Sequence, residues 1–191
     1  TVVASCSGTF YDSGGESSEY QDEENYLMTF IPGLMGDKLK FVFTAFDVEE
    51  NSTCNYDWLK IYDGPDASYP LLGTWCGTNS PGTVQATNIH GALTFQFHSD
   101  ISQAGDGWVA NFSCIEGDRK LSLNIHGEGS VDRNPDGTSI DGAYYYPVGT
   151  EVELTATPAE GYEFSKWVKD GVDYTESVMN VTMDENIAID V

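Results

Sequence analysis

Apolar and polar residues alternate in short runs along the first 115 residues of the chain, and no run follows a helical period. In the runs 39–46, 93–98 and 108–114 the large apolar residues fall mainly on every second position. Such alternation is typical of strands that bury one face. Tight-turn sequences such as Asp63-Gly64-Pro65 separate the runs. Many short strands at this spacing predict an antiparallel β-sandwich or jelly roll.

A second set of alternations begins at residue 121, after the polar, glycine-containing segment 116–119. It continues through residues 146–158 and 161–167 and ends in residues 179–191. We therefore predict an all-β chain with two domains. They are a β-sandwich at residues 1–115 and a small second β domain at residues 120–191, joined by a short linker at residues 116–119.

The charge of the chain limits the partners that it can bind. It carries 31 Asp and Glu residues against 8 Lys and Arg, a formal charge of −23 in 191 residues. A surface this anionic argues against nucleic acid or an anionic membrane as a partner and favours Ca²⁺ or cationic ligands. Because 13% of the residues are aromatic, the charge belongs to a folded surface rather than to a disordered acidic tail.

The four cysteines are widely separated, and the short CxxC spacing of zinc and redox sites is absent from the sequence. An even number of distant cysteines indicates two disulfides and an oxidising compartment. No apolar run approaches membrane-spanning length, and Thr1-Val2-Val3-Ala4 lacks the layout of a signal peptide. We interpret the chain as a mature secreted protein or a fragment of one, with no membrane insertion.

Five motifs follow one another in the first 115 residues. They are Phe-Asp-x-Glu, Cys-x-Tyr-Asp-x-Leu-x-Ile-Tyr-Asp-Gly, Leu-Leu-Gly-x-Trp-Cys-Gly, Leu-x-Phe-x-Phe-x-Ser-Asp and Gly-Trp-x-Ala, at positions 46–49, 54–64, 71–77, 93–100 and 107–110. Together and in this order they resemble the CUB domain. The resemblance implies a jelly-roll β-sandwich and a disulfide between Cys54 and Cys76.

The remaining two cysteines depart from the CUB pattern. The family's other common disulfide needs a cysteine just before the predicted strand 26–30, where this chain has none. Cys6 is therefore left with Cys114 as its candidate partner, and we infer a Cys6–Cys114 bridge that ties the two ends of the domain together.

The second domain contains the run YPxGTxVxLTAxP, GYxFxxW and VTM, within residues 146–183. This run resembles the divergent InlB B-repeat of bacterial surface and secreted proteins. The resemblance implies a bacterial origin and a spacer or stalk that presents the first domain. Because the chain stops on a predicted strand, we expect it to have been cut from something longer.

Three carboxylates form the main candidate site. Glu49 ends one predicted strand and Asp57 begins the next, so an antiparallel hairpin would bring both to the same end, where Asp100 follows another strand. Carboxylates so close repel one another unless a cation neutralises them, and Ca²⁺ takes six to eight oxygen ligands. The alternative is that these acids are solvated turn residues. The CUB resemblance favours Ca²⁺, because these positions match its calcium ligands and Tyr20 matches its orienting tyrosine.

A second acidic loop copies the opening of a calcium-binding DxNxDG sequence through Asp132, Asn134 and Asp136. The twelfth position, which should be an acid, is Ala143, and no helices are predicted beside it. A polar hairpin loop is the favoured interpretation.

Other features give little support for catalysis. His90, His98 and His126 are scattered, and none neighbours a nucleophile in a motif such as GxSxG. Of the run Tyr144-Tyr145-Tyr146, one or two rings should face solvent, where they could stack on a sugar or simply pack on the surface. All four tryptophans fall in strand patterns and are predicted to lie in the core: Trp58, Trp75, Trp108 and Trp167.

We therefore predict a non-catalytic, Ca²⁺-dependent binding or adhesion module, secreted or on a bacterial cell surface. The expected ligand is an extracellular protein that offers Lys or Arg, or a glycan, bound at the acidic corner. The alternative is a carbohydrate-binding module attached to a secreted glycoside hydrolase, with Ca²⁺ purely structural.

Overall fold

A computed structural model describes residues 1–33 and 36–191 of the chain. It divides into two compact units, Thr1–Glu116 and Gly117–Val191. The described residues form strands, turns and loops, and none of them lies in a helix. Among them there is accordingly no helix long and apolar enough to cross a membrane.

The described residues of the first unit form nine strands in two sheets. In chain order the strands are β1 (Val2–Ala4), β2 (Ser7–Tyr11), β3 (Asn25–Ile31), β4 (Lys38–Asp47), β5 (Trp58–Tyr62), β6 (Leu71–Trp75), β7 (Thr83–Gln85), β8 (Leu93–His98) and β9 (Gly107–Ile115). One sheet has the order β1-β3-β8-β5-β6, and the other has the order β2-β9-β4-β7. Neighbouring strands run antiparallel except β1 and β3, which are parallel.

Aromatic rings from both sheets fill the space between them. The ring of Phe10 on β2 lies 5.0 Å from those of Phe30 on β3 and Phe95 on β8. Phe41 on β4 lies 4.8 Å from Phe95. These edge-on and tilted contacts between the two inner faces define a β-sandwich core. The predicted all-β jelly-roll sandwich is thereby confirmed.

The alternation of β4 changes phase along its length. Leu39, Phe41 and Phe43 are buried as predicted, but Phe46 is buried as well. The pairing with β9 shifts between Phe43 and Ala45, so one extra residue sits on β4. A bulge of this kind reverses which positions face inward. It returns Phe46 to the core and aims the end of the strand towards the acidic corner.

Two of the four tryptophans are not in the core. Trp108 and Trp167 are fully buried, whereas Trp58 and Trp75 are only half-buried. On β5 the inward positions belong to Leu59 and Ile61, so the period of two turns Trp58 outward. The prediction that all four are core residues was wrong for Trp58 and only partly met by Trp75, which packs half-buried against the core. A position in a strand pattern does not by itself decide which face the residue takes.

The structure contains both disulfides. Cys6 is bonded to Cys114 and Cys54 is bonded to Cys76. The first joins the ends of the neighbouring strands β2 and β9, where the N–H of Cys114 also donates to the carbonyl of Cys6 at 3.0 Å. The second joins the loop between β4 and β5 to the residue that follows β6, and so closes a loop that contains β5 and β6.

The second unit contains nine shorter strands. They are β10 (Asp118–Asn124), β11 (Gly129–Asn134), β12 (Thr138–Ile140), β13 (Ala143–Pro147), β14 (Glu151–Pro158), β15 (Trp167–Lys169), β16 (Val172–Tyr174), β17 (Val178–Thr182) and β18 (Ile187–Asp190). They form sheets of order β12-β13-β10-β18-β15-β16 and β11-β14-β17 around a core that includes Leu121, Leu154 and Trp167. The first and last strands, β10 and β18, pair in parallel. Asp118 and Arg119, placed in the linker by the sequence, belong to β10.

Candidate metal centre

The three candidate carboxylates come from both sheets of the first unit. Asp57 directly precedes β5, and Asp100 follows β8 by two residues. Because β5 and β8 are antiparallel neighbours with Trp58 opposite His98, both acids lie at the same end of that sheet. Glu49 arrives from β4, which belongs to the other sheet. The predicted β4–β5 hairpin was wrong, since the chain crosses between the sheets, but the crossing still brings the three acids together.

A short bridge holds Glu49 in place. Val48 pairs with Gly77 just outside the named strands, and the N–H of Gly77 donates to the carbonyl of Glu49 at 3.3 Å. Gly77 directly follows Cys76, so the Cys54–Cys76 disulfide ties this bridge to the loop that lies between Glu49 and Asp57. One carboxylate oxygen from each of Glu49, Asp57 and Asp100 lies within 4.8 Å of the other two.

Tyr20 hydrogen-bonds to two of these residues, Asp57 and Glu49. Its side chain is 1% exposed, and its ring packs edge-on against Phe97 at 5.0 Å. The hydroxyl donates to Asp57 Oδ2 at 2.6 Å and accepts the backbone N–H of Glu49 at 3.0 Å. Burial, followed by the hydrogen bond to Asp57, raises the pKa of Tyr20, so the hydroxyl keeps its proton and remains a donor.

The carboxylates differ in how well they are hydrogen-bonded. Asp57, which is 1% exposed, accepts the backbone N–H of Asp100 at Oδ1 (2.7 Å) in addition to the Tyr20 hydroxyl at Oδ2. Glu49 Oε1 accepts from the amide of Gln103 at 2.9 Å. Glu49 Oε2 is buried and has no hydrogen-bond partner. The group with the unsatisfied oxygen therefore faces two other carboxylates.

The electrostatics match this arrangement. Burial raises the pKa of Glu49, and the nearby charges of Asp57 and then Asp100 raise it further. Each of these three causes acts against the ionised form of Glu49, and none of them comes from a Lys or Arg. All three side-chain donors are hard oxygens, which suit Ca²⁺ better than softer metals. The residues present therefore fit a bound Ca²⁺, with Glu49 Oε2 as an oxygen that lacks any other partner.

Some contributors to the site were missed by sequence reasoning. Gln103 positions Glu49, and nothing in its loop sequence indicates this role. Ser99, only 2% exposed, donates to the carbonyl of Gln21 at 2.7 Å and accepts the N–H of Glu24 at 2.9 Å. It ties the segment after Tyr20 to the end of β8. The polar pair Ser99-Asp100 after an alternating strand was the one available signal.

The second acidic loop lies apart from any such cluster. Asp132 and Asn134 are exposed on β11, and Asp136 is exposed in the turn that follows. Among residues 1–33 and 36–191, these side chains do not form a group that could hold a metal. The predicted polar hairpin loop was wrong, because Asp132 and Asn134 lie on β11 and the segment with Asp136 leads to β12 in the other sheet of this unit. A second acidic group, around Asp37, includes Cys6 and Cys114, whose sulfurs are bonded to each other.

The tyrosine run and the histidines occupy separate places. Tyr146 is 1% exposed, while Tyr144 and Tyr145 are half-buried, and the guanidinium of Arg133 lies 3.6 Å from the Tyr144 ring centroid. His126 bonds Asp190 at 3.0 Å, His90 contacts the Tyr69 hydroxyl at 3.2 Å, and His98 stacks near Trp58.

Replacing Tyr20 by phenylalanine should test how the corner is supported. The change leaves a buried Asp57 oxygen and the Glu49 N–H without their partner, so we expect the free energy of unfolding to fall by about 1–3 kcal/mol. Denaturant unfolding in EDTA measures this. The matched variant is Tyr62→Phe, which removes a single half-exposed bond to Gln96 and should cost less. Equal losses in the two variants would contradict the supporting role of Tyr20.

Comparison with known proteins follows the same division into two parts. Residues 6–112 match the CUB domain family, and residues 122–191 match the divergent InlB B-repeat domain family. Neuropilin-1 of Xenopus laevis is 34% identical over 124 residues, which cover 58% of this chain and 13% of the neuropilin. Human cubilin is 32% identical over 118 residues, which cover 58% of this chain and 3% of cubilin.

The chain thus spans a small part of the curated relatives that it matches. Among solved structures, the CUB1-EGF-CUB2 segment of human MASP-1/3 is similar with a TM-score of 0.51 at 24% identity, covering 60% of this chain and 41% of that segment. This similarity supports the fold alone. The family match over residues 6–112 shows that the chain belongs to the CUB domain family, with a divergent InlB B-repeat domain following at residues 122–191.

Proposed function

We propose that this chain is a non-catalytic, extracellular binding module whose CUB domain binds Ca²⁺ through Glu49, Asp57 and Asp100. The ion would neutralise the mutual repulsion of the three carboxylates and fix their orientation. Tyr20 and Gln103 hold Asp57 and Glu49 for this purpose, through the hydrogen bonds described above. The proposed binding surface is this acidic corner.

One observation carries the proposal more than any other. A buried carboxylate oxygen without a donor is costly, and Glu49 Oε2 is such an oxygen. Asp57 and Asp100 add to that cost, because both raise the pKa of Glu49. A divalent cation coordinated by all three carboxylates would give Glu49 Oε2 a partner and neutralise the repulsion among the three groups. Solvated turn carboxylates would instead point apart into water.

The charge of the corner suggests its ligand. Loops around a carboxylate cluster in a chain of charge −23 attract positively charged groups over several ångströms. We therefore propose a Lys- or Arg-bearing extracellular protein as the partner, with Ca²⁺ orienting the carboxylates that receive it. The InlB-like unit would act as the spacer that presents the corner, on a bacterial surface or in a secreted bacterial protein.

Calorimetric titration of the metal-free chain with Ca²⁺ tests the first half of the proposal. We expect one saturable site in the first unit, reversed by EDTA. Binding to peptide and glycan arrays with and without Ca²⁺ tests the second half. Basic peptides captured only with Ca²⁺ support the proposal, and absence of any Ca²⁺ binding would overturn it. Neutral glycans captured equally with Ca²⁺ and EDTA would favour the alternative, a carbohydrate-binding module.

A further inference from the structure

The outer face of the five-stranded sheet carries a group of aromatic and polar side chains. Three of them project outward from β5: Trp58, Lys60 and Tyr62. Their register partners on β8 include His98, opposite Trp58, and Gln96, opposite Lys60. We call these five residues the aromatic face. It lies on the opposite side of this sheet from the core residues Leu59 and Ile61, and none of the five is a proposed Ca²⁺ ligand.

The five side chains of the aromatic face contact one another. The rings of Trp58 and His98 are 5.4 Å apart and inclined by 32°. The ammonium of Lys60 lies 4.0 Å from the centroid of the Trp58 ring. The hydroxyl of Tyr62 donates to Gln96 Oε1 at 3.0 Å, which leaves the amide nitrogen of Gln96 available as a donor. All five are half-buried, so each keeps part of its side chain exposed on this face.

The charge of this face is opposite to that of the chain. The strands β1, β3, β5, β6 and β8 contain no Asp or Glu, although the chain has 31 of them. Among residues 1–33 and 36–191, none of the ion pairs involves Lys60. A cation without a carboxylate partner, beside aromatic rings and in a chain of charge −23, lowers the repulsion that a negatively charged ligand meets on this face.

The spacing and chemistry of these side chains limit the class of ligand that the aromatic face could bind. Trp58 and Tyr62 are four residues apart on one strand, about 13 Å, so a ligand that contacts both must be extended. Flat aromatic rings suit the apolar faces of sugar rings, and Gln96, His98 and Lys60 offer polar groups between them. Nucleic acid is a poor candidate, because its dense phosphate charge would meet the acidic loops around the sheet.

We propose that the aromatic face binds an acidic oligosaccharide, with sugar rings against Trp58 and Tyr62 and a carboxylate or sulfate on Lys60. Cation–π contact with Trp58 holds the ammonium above the face before the ligand arrives, so less side-chain entropy is lost on binding. The site differs from the acidic corner in charge and in metal dependence. Its failure and that of the Ca²⁺ proposal are therefore separable.

The test uses the whole chain in EDTA, which removes any contribution of Ca²⁺. Oligogalacturonate and its methyl ester share one backbone and differ in charge, and dextran sulfate and dextran do the same for sulfate. We expect binding to one or both acidic saccharides, measured by calorimetry, and no binding to either neutral counterpart. Lys60→Gln should weaken binding about tenfold, because a charge-assisted contact is lost. Trp58→Ala should weaken it at least as much.

Lys40→Gln is the matched control, because Lys40 projects from the outer side of β4 in the other sheet. We expect its affinity to stay within about twofold of the wild type. Absence of binding to both acidic saccharides would overturn the proposal. So would equal weakening by Lys60→Gln and Lys40→Gln, which would indicate diffuse attraction. Self-association of the chain that Lys60→Gln abolishes would also overturn it, because a second acidic copy would then be the occupant.

Discussion

Replacing Asp57 by asparagine should lower the affinity of the chain for Ca²⁺ by at least about a hundredfold. Two opposite unit charges 4 Å apart near a protein surface attract by about 4 kcal/mol, and a loss of about 2.7 kcal/mol already corresponds to a hundredfold. Asp57 is central to the corner, because it also receives the Tyr20 hydroxyl and the Asp100 N–H. Calorimetric titration of wild type and variant measures the loss.

The stability of the Asp57→Asn variant in EDTA separates a lost Ca²⁺ ligand from a folding defect. In EDTA, asparagine removes one of the charges that oppose ionisation of Glu49, but its amide nitrogen replaces an oxygen that accepts from Tyr20 or Asp100. Because these effects oppose each other, we expect the free energy of unfolding to fall by less than about 3 kcal/mol. The matched variant is Asp66→Asn, since Asp66 is an exposed carboxylate in the loop at the other end of β5. It should bind Ca²⁺ as the wild type does. Equal affinity in the Asp57 and Asp66 variants would contradict the proposed site.

Removing the Cys6–Cys114 disulfide should destabilise the first unit more than removing the Cys54–Cys76 disulfide. The bridge joins residues separated by 108 positions, while Cys54–Cys76 spans 22. The chain-entropy expression for closed loops gives about 4.8 kcal/mol for the longer loop and about 3.4 kcal/mol for the shorter. Both pairs changed to alanine, one pair at a time, provide the comparison by denaturant unfolding in EDTA.

The order of the two losses is the informative result. In each double variant two cysteines are lost, so differences in side-chain burial largely cancel and loop length remains. We expect the variant without Cys6–Cys114 to be less stable by about 1.4 kcal/mol than the one without Cys54–Cys76. The reverse order would mean that the Cys54–Cys76 disulfide contributes more to stability than loop length predicts, through contacts in the folded state.

Much of the first unit was predictable because a period of two survives in its strands. The positions Phe41, Phe95 and Phe112 were assigned inward, and all three are buried. The five motifs also predicted the family correctly, and the predicted disulfides Cys6–Cys114 and Cys54–Cys76 are present. These successes rest on local patterns and on residues that keep fixed spacing within one strand.

What could not be predicted depends on which strands are neighbours. The sequence between Glu49 and Asp57 is compatible with a hairpin, and only the sheet order shows that it crosses the sandwich. The bulge after Phe43 has no distinctive residue to announce it. Trp58, in contrast, was misplaced despite a readable signal, because Leu59 and Ile61 already occupied the inward positions. The hydrogen bond from Gln103 to Glu49 depends on loop geometry that residue types do not encode.

The parallel pairing of β10 with β18 has a mechanical consequence for the second unit. Because the two strands run in the same direction, the start of β10 and the end of β18 lie at opposite ends of their ladder. Tension applied through these two strands would load the register pairs from Leu121–Ile187 to Asn124–Asp190 together, in shear. An antiparallel pair pulled from one end would instead unzip a single pair at a time. Unfolding of the second unit by a force on the start of β10 and the end of β18 would therefore require these pairs to break together.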